Sequence, residues 1–147
     1  MAAHHSTPLA VLDLLNSLLE AQSDSIFRFL EAGAPYMEQA SASLVRPIRD
    51  MMKTSHTEAQ ELIALIQFLG GEGIAPRLRP QDQYLSYLSF KFLLPKLINE
   101  KHLTIERYQS AQTALASIDN VPPRVPALLA RHLAQHQSDV AQLEQRA

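Results

Sequence analysis

No cysteine occurs in the 147 residues, which excludes disulfides, thiolate metal sites and thiol nucleophiles together. A basic excess is missing as well: 13 Lys and Arg against 15 Asp and Glu leave a net charge of -2, without the positive footprint of a nucleic-acid binder. No apolar run approaches the ~18 residues that a membrane-spanning helix needs. The stretch Met1 to Pro8 has neither a charged nor an apolar segment of the export type, so a cytoplasmic protein is the expectation. His4 and His5 fall in this unpatterned start and are read as terminus rather than as ligands. Strand signals are poor throughout. No serine sits in a Gly-x-Ser-x-Gly elbow. Gly70-Gly71-Glu72-Gly73 lacks the lysine and the preceding strand of a phosphate loop, and reads as a helix stop.

What remains is a chain with 46% hydrophobic residues spread along its whole length, enough for one domain with a single core over 1–147. Apolar residues recur at spacings of three and four, with glycine and proline collected between the periodic stretches. The pattern predicts an all-α fold with helices at about 8–32, 36–69, 82–118 and 123–145. Thr7 is the expected N-cap of the first, with Pro8 at its first position and Leu12, Leu15, Leu19, Ile26 and Phe29 along one side. The second carries Ile48, Met52, Ala59, Leu62, Ile66 and Leu69, with Pro47 marking a kink or a late start and Gly70-Gly71 the end. Pro95 should bend the third. Pro122, Pro123 and Pro126 separate it from the fourth, whose apolar side is Val125, Leu129, Val140 and Leu143.

Connection lengths constrain the topology. The links at Ala32 to Pro35 and Asp119 to Pro123 are short, so each flanking pair should form an antiparallel hairpin. Gly70 to Gln81 is longer and would reach about 40 Å at ~3.3 Å per residue, the length of a helical bundle. It is either a loop between antiparallel neighbours or, the preferred reading, a crossover that makes the second and third helices parallel.

Leu15-Asn16-Ser17-Leu18-Leu19 and Ile66-Gln67-Phe68-Leu69-Gly70-Gly71 resemble the Leu-Asn-x-Leu-Leu opening of the first helix and the Ile-x-x-Leu-Gly-Gly close of the second in the ferritin-like superfamily. The resemblance implies a four-helix bundle with a long crossover between the second and third helices. It also implies slots for a di-iron centre: a carboxylate on the first helix, Glu-x-x-His on the second, a carboxylate on the third and Glu-x-x-His on the fourth. Counted from the flanking residues, these slots fall on Gln22, on Ser55 and Glu58, and on His136 and Asp139; Glu100 is the nearest acidic candidate for the third, with Glu106 behind it. That set offers at most three carboxylates and one histidine where the superfamily has four and two, so an intact di-iron centre is not expected.

Several readings of these residues stay open. His132 and His136 lie four apart on one helix face, a spacing that can chelate one transition metal; with Glu58, Glu100 or Asp139 they would make a mononuclear iron or manganese site. Without metal, Gln22, Ser55, Glu58, His132, His136 and Asp139 can satisfy one another as a buried polar network. A modest rotation of the helix would instead expose His132 or His136, and His56 and His102 are expected in solvent. Tyr84, Tyr87, Phe90 and Phe92 form an apolar surface expected to pack against a second copy in a homodimer. The functional expectation is a non-catalytic or metal-site-degenerate ferritin-like bundle without an intact di-iron centre, acting by binding or assembly. Alternatives are a mononuclear metal-binding oxidoreductase and an unrelated helical adaptor.

Overall fold

The computed structural model describes residues 7–23, 45–73 and 90–145. Among them are four α-helices and no strand: α1 (Leu9–Ser23), α2 (Val45–Phe68), α3 (Phe90–Leu115) and α4 (Arg124–Glu144). No helix among the described residues is long and apolar enough to cross a membrane. Tyr84 and Tyr87, the side chains of Phe90 and Phe92, Ile26, Phe29, Gly33, Pro35, and residues 74–81 of the long connection all lie outside what is described.

Local chemistry explains the helix ends. The carbonyl of Pro8, rather than that of Thr7, accepts the first bonds of α1, from the amides of Val11 and Leu12, so the start falls one residue later than its sequence cue. Pro47 lies in the first turn of α2 and Pro126 in the first turn of α4, where a missing N–H interrupts no helical bond. Pro95, by contrast, sits inside α3, where it removes a bond to the preceding turn. At the end of α2, the Gly71 amide bonds to the Ile66 carbonyl at 2.8 Å and the Gly70 amide to Gln67 at 3.0 Å, with Gly70 at φ 92°. This is the Schellman closure, which needs a left-handed residue and so favours glycine. Gly71 has a second reason to lack a side chain: a Cβ there would lie 3.0 Å from Leu12 of α1.

Side-chain contacts fix the direction of three helix pairs. Leu12 lies against Gly71 while Gln22 reaches Ser55, so α1 and α2 are antiparallel. His102 meets Glu144 and Tyr108 meets His132, so α3 and α4 are antiparallel. Glu58 faces His136 and Glu61 faces His132, so α2 and α4 are antiparallel too.

The interior is layered along the helices. One end is apolar, built from Val11, Leu15 and Leu19 of α1, Leu62 and Ile66 of α2, Leu115 of α3, and Val125 and Leu129 of α4. Each large aliphatic side chain buried there contributes about 1.5–3 kcal/mol. Further along each helix the buried residues turn polar: Gln22, Ser55, Glu58, Lys101, His132, His136 and Asp139. Beyond them along α2, α3 and α4 burial becomes apolar again, with Ile48, Met51, Leu93, Leu97, Val140 and Leu143. The polar residues are thus enclosed between two greasy layers.

Candidate functional site

The polar layer is assembled from side chains at core-facing positions of all four helices. On α2, Ser55 and Glu58 continue the inward stripe of Ile48, Met51, Leu62 and Ile66. On α4, His132, His136 and Asp139 lie between Leu129 and Leu143 on the same buried face. On α3 the inward stripe reads Leu97, Lys101, Tyr108, Ala111 and Leu115. Lys101 is only 3% exposed, whereas Glu100 is half-buried. The third-helix position facing α4 is therefore held by a cation, where the sequence suggested a carboxylate one residue earlier.

Three linked groups make up the layer. In the first, the Gln22 amide donates to Glu58 Oε1 at 3.0 Å and to Ser55 Oγ at 3.3 Å, joining α1 to α2. In the second, Lys101 Nζ donates to Asp139 Oδ2 at 2.9 Å and lies 3.0 Å from His136 Nδ1, while Gln135 donates to the other Asp139 oxygen at 2.8 Å. An ammonium can only donate, so His136 Nδ1 accepts and a neutral ring carries its proton on Nε2, the nitrogen that faces Glu58. That nitrogen is 3.1 Å from Glu58 Oε1 but is not aligned for a hydrogen bond. In the third, the Tyr108 hydroxyl lies 2.8 Å from His132 Nδ1, and His132 Nε2 lies 3.1 Å from Glu61 Oε1. A carboxylate accepts, so His132 donates from Nε2 and receives the Tyr108 proton at Nδ1.

The electrostatics support that assignment. Burial pushes His132 below the usual histidine range and outweighs the pull of Glu58 and Glu61, which keeps the ring neutral. Burial, reinforced by the Glu58 and Glu61 charges, raises Tyr108 well above an ordinary phenol, so its hydroxyl stays a donor. At the rim, a forked bond from Arg131 holds Glu61 below the normal carboxylate range.

Two buried atoms are left over. Glu58 Oε2 has no hydrogen-bond partner, with His132 Nδ1 3.9 Å away, and His136 Nε2 has none. Unsatisfied buried polar atoms are uncommon, and each costs about 1–3 kcal/mol.

The chain matches no protein-family model, no curated protein and no solved structure. What the layer can do is therefore read from its own side chains. A two-metal centre does not fit them. Asp139 is neutralised by Lys101, and the first helix offers a neutral amide at Gln22. Among the described residues no group of three or more His, Asp or Glu side chains is placed to hold a metal ion.

The structure buries Gln22, Ser55, Glu58, His132, His136 and Asp139 together, and Glu100 is half-buried next to Lys101 in the chain. His102 is exposed beside Glu144, and His56 is half-buried. Lys101, Tyr108 and Glu61 complete the layer without having been singled out in the sequence. Lys101 and Tyr108 had a usable signal, since both fall at helical spacing in the stripe from Leu97 to Leu115. Glu61 had none, being a partly exposed carboxylate next to the stripe.

Proposed function

We propose that the protein is a ferritin-like four-helix bundle whose interior carries a salt-bridged polar network in place of a di-iron centre, and that it acts through binding or assembly. The observation that carries this reading is Lys101, which sets an ammonium 2.9 Å from Asp139 and 3.0 Å from His136. A cation covalently attached to the third helix supplies the positive charge that these groups would otherwise take from a metal. A dication held within ~4 Å of it would meet repulsion of about 8 kcal/mol at an effective dielectric of ~20.

Helix directions support the topological part. Since α2 and α3 are both antiparallel to α4, they run the same way, and the connection between them would cross the length of the bundle. The homodimer face of this reading is the aromatic series at the start of the third helix, Tyr84, Tyr87, Phe90 and Phe92, and sedimentation velocity of the whole chain tests it.

A second reading, one metal ion at Glu58 and His136, is favoured by the unpartnered His136 Nε2, 3.1 Å from Glu58 Oε1, and by the unpartnered second oxygen of the same carboxylate. Elemental analysis of protein purified without added metal decides between the two. The network reading expects only trace iron, manganese and zinc, unchanged in Lys101→Met and His136→Ala variants. Stoichiometric metal that is lost in His136→Ala would overturn it.

A further inference from the structure

Between α2 and α4 a cleft of about 310 Å³ runs from the surface to the polar layer. Its two buried lining residues, Glu58 and His132, form the inner end, and Lys53, Thr54, Thr57 and Gln135 line the way out. The volume is at the small end of ligand pockets, ~300–1,000 Å³, and far exceeds the ~30 Å³ share of a single water. A compound of several heavy atoms fits where one solvent molecule would not fill the space.

The chemistry of the walls is graded. At the inner end, Glu58 is 3% exposed and its Oε2 has no hydrogen-bond partner. A carboxylate oxygen accepts only, so its complement is an N–H or O–H donor, and the nearby Glu61 charge favours a cationic one. His132 does not compete for that oxygen, since its two nitrogens are engaged by Tyr108 and Glu61. At the outer end the sign reverses. Arg131 is committed to Glu61, whereas Lys53 is exposed and has no ion-pair partner among the described residues. Two threonine hydroxyls and the Gln135 side chain, whose amide nitrogen already donates to Asp139, line the way out and offer further donors and acceptors.

We propose that this cleft binds a small zwitterion of the amino-acid type: the Glu58 carboxylate, whose Oε2 is closed off from solvent as it stands, turns to meet the ligand's ammonium, and the ligand's acidic group points outward to Lys53. The assignment deepens the binding role proposed above and rests on it. Glu58 Oε2 supplies the inner contact, and a ligand ammonium would complete the accepting capacity that Gln22 leaves half used. A simple amine would meet Lys53 unfavourably, and a simple carboxylate would meet Glu58, so the gradient selects for both charges in one molecule.

The test is a titration of the whole protein with glycine, β-alanine and γ-aminobutyrate, followed by amide NMR shifts, with propylamine and propionate as single-charge controls. The expected result is saturable shifts at Thr54, Thr57, Glu61 and Gln135 with at least one zwitterion, and binding weaker by about tenfold or more for both controls. Glu58→Gln should weaken binding by a similar factor while keeping an oxygen for Gln22, with an unchanged circular dichroism spectrum showing that the fold persists. Lys53→Gln alters only an exposed residue and should also weaken zwitterion binding. Absence of saturable shifts with all three zwitterions overturns the proposal, as does binding indifferent to both variants. If the protein is also free of metal, the network reading survives that failure. Stoichiometric manganese or zinc binding at the same amides would overturn both.

Discussion

The apolar end and the polar layer are built on the same four helices, in adjoining turns, yet they hold together in different ways. At the apolar end, Leu15, Leu19, Leu62, Ile66 and Leu129 are stabilised by area removed from water, and any aliphatic of similar volume serves. In the polar layer the contribution depends on pairing: Lys101 is stabilising only while Asp139 and His136 accept from it, and Glu58 only while Gln22 donates. The difference teaches that burial at a core position does not by itself say how much a residue stabilises. A buried ion pair costs desolvation on both sides and is often no better than a hydrophobic pair of similar size. What the polar layer adds over a greasy one is directional contact between particular helices.

The sharpest test removes one partner. Lys101→Met should destabilise by about 3–5 kcal/mol, because Asp139 is left as a buried charge without its counterion. Leu62→Ala at the apolar end should cost about 2–5 kcal/mol from lost transfer energy and the cavity left behind. The single losses overlap, so the distinction lies in rescue. Adding Asp139→Leu to Lys101→Met should recover most of the stability in urea unfolding, whereas no polar substitution near Leu62 should rescue its variant. If the double variant is no more stable than Lys101→Met, the polar layer is not held by that pair and the comparison fails.

The same contrast explains what could be read from the sequence. The aliphatic stripes of the second and fourth helices were legible because leucine, isoleucine and valine at helical spacing have one physical destination, and Ile48, Leu62, Ile66, Val125, Leu129 and Leu143 are buried. Positions shifted by one residue on the second helix, where Met51 is buried and Met52 half-buried, because two adjacent methionines fit a stripe edge equally well. In the polar layer Gln22, Ser55, Glu58, His136 and Asp139 were located from flanking residues. Lys101 was not, because a search for carboxylates passes over a lysine. Its pairing with Asp139 spans two helices, and such contacts have no local sequence signature.

Acidity separates the two regions at a smaller scale. Buried His132 has a lowered pKa, so below the usual histidine value of 6.5 the unfolded chain takes up a proton that the folded chain resists. The unfolded state then binds more protons, and stability should fall as pH falls from 7 toward 5, by at most about 1.4 kcal/mol per pH unit from this residue. Glu61, also lowered, acts with the same sign but below its ordinary value of 4.5. Glu58 and Glu61 on α2 favour the charged ring and Arg131 opposes it, with burial the largest influence. His132→Gln, which can still donate to Glu61 and accept from Tyr108, should flatten the urea midpoint between pH 7 and 5. Leu62→Ala should lower the midpoint by the same amount at both pH values. A slope unchanged in His132→Gln would show that the ring is not a buried neutral base.

The smallest effect is expected at the rim, where Arg131 forks onto Glu61. Arg131 is 60% exposed and Glu61 30%, so water screens the pair and the bond should contribute only about 0.2–1 kcal/mol. Arg131→Ala should therefore lower stability far less than Lys101→Met, although both remove a cation from a carboxylate. Its larger consequence should be electrostatic. Without the guanidinium, Glu61 loses the main influence that lowers its pKa, and His132 loses a positive neighbour that opposes its protonation. The His132 titration followed by NMR should therefore move upward in Arg131→Ala while the unfolding midpoint hardly changes. A stability loss as large as that of Lys101→Met would place Arg131 within the cooperative network and move the boundary of the polar layer out to the surface.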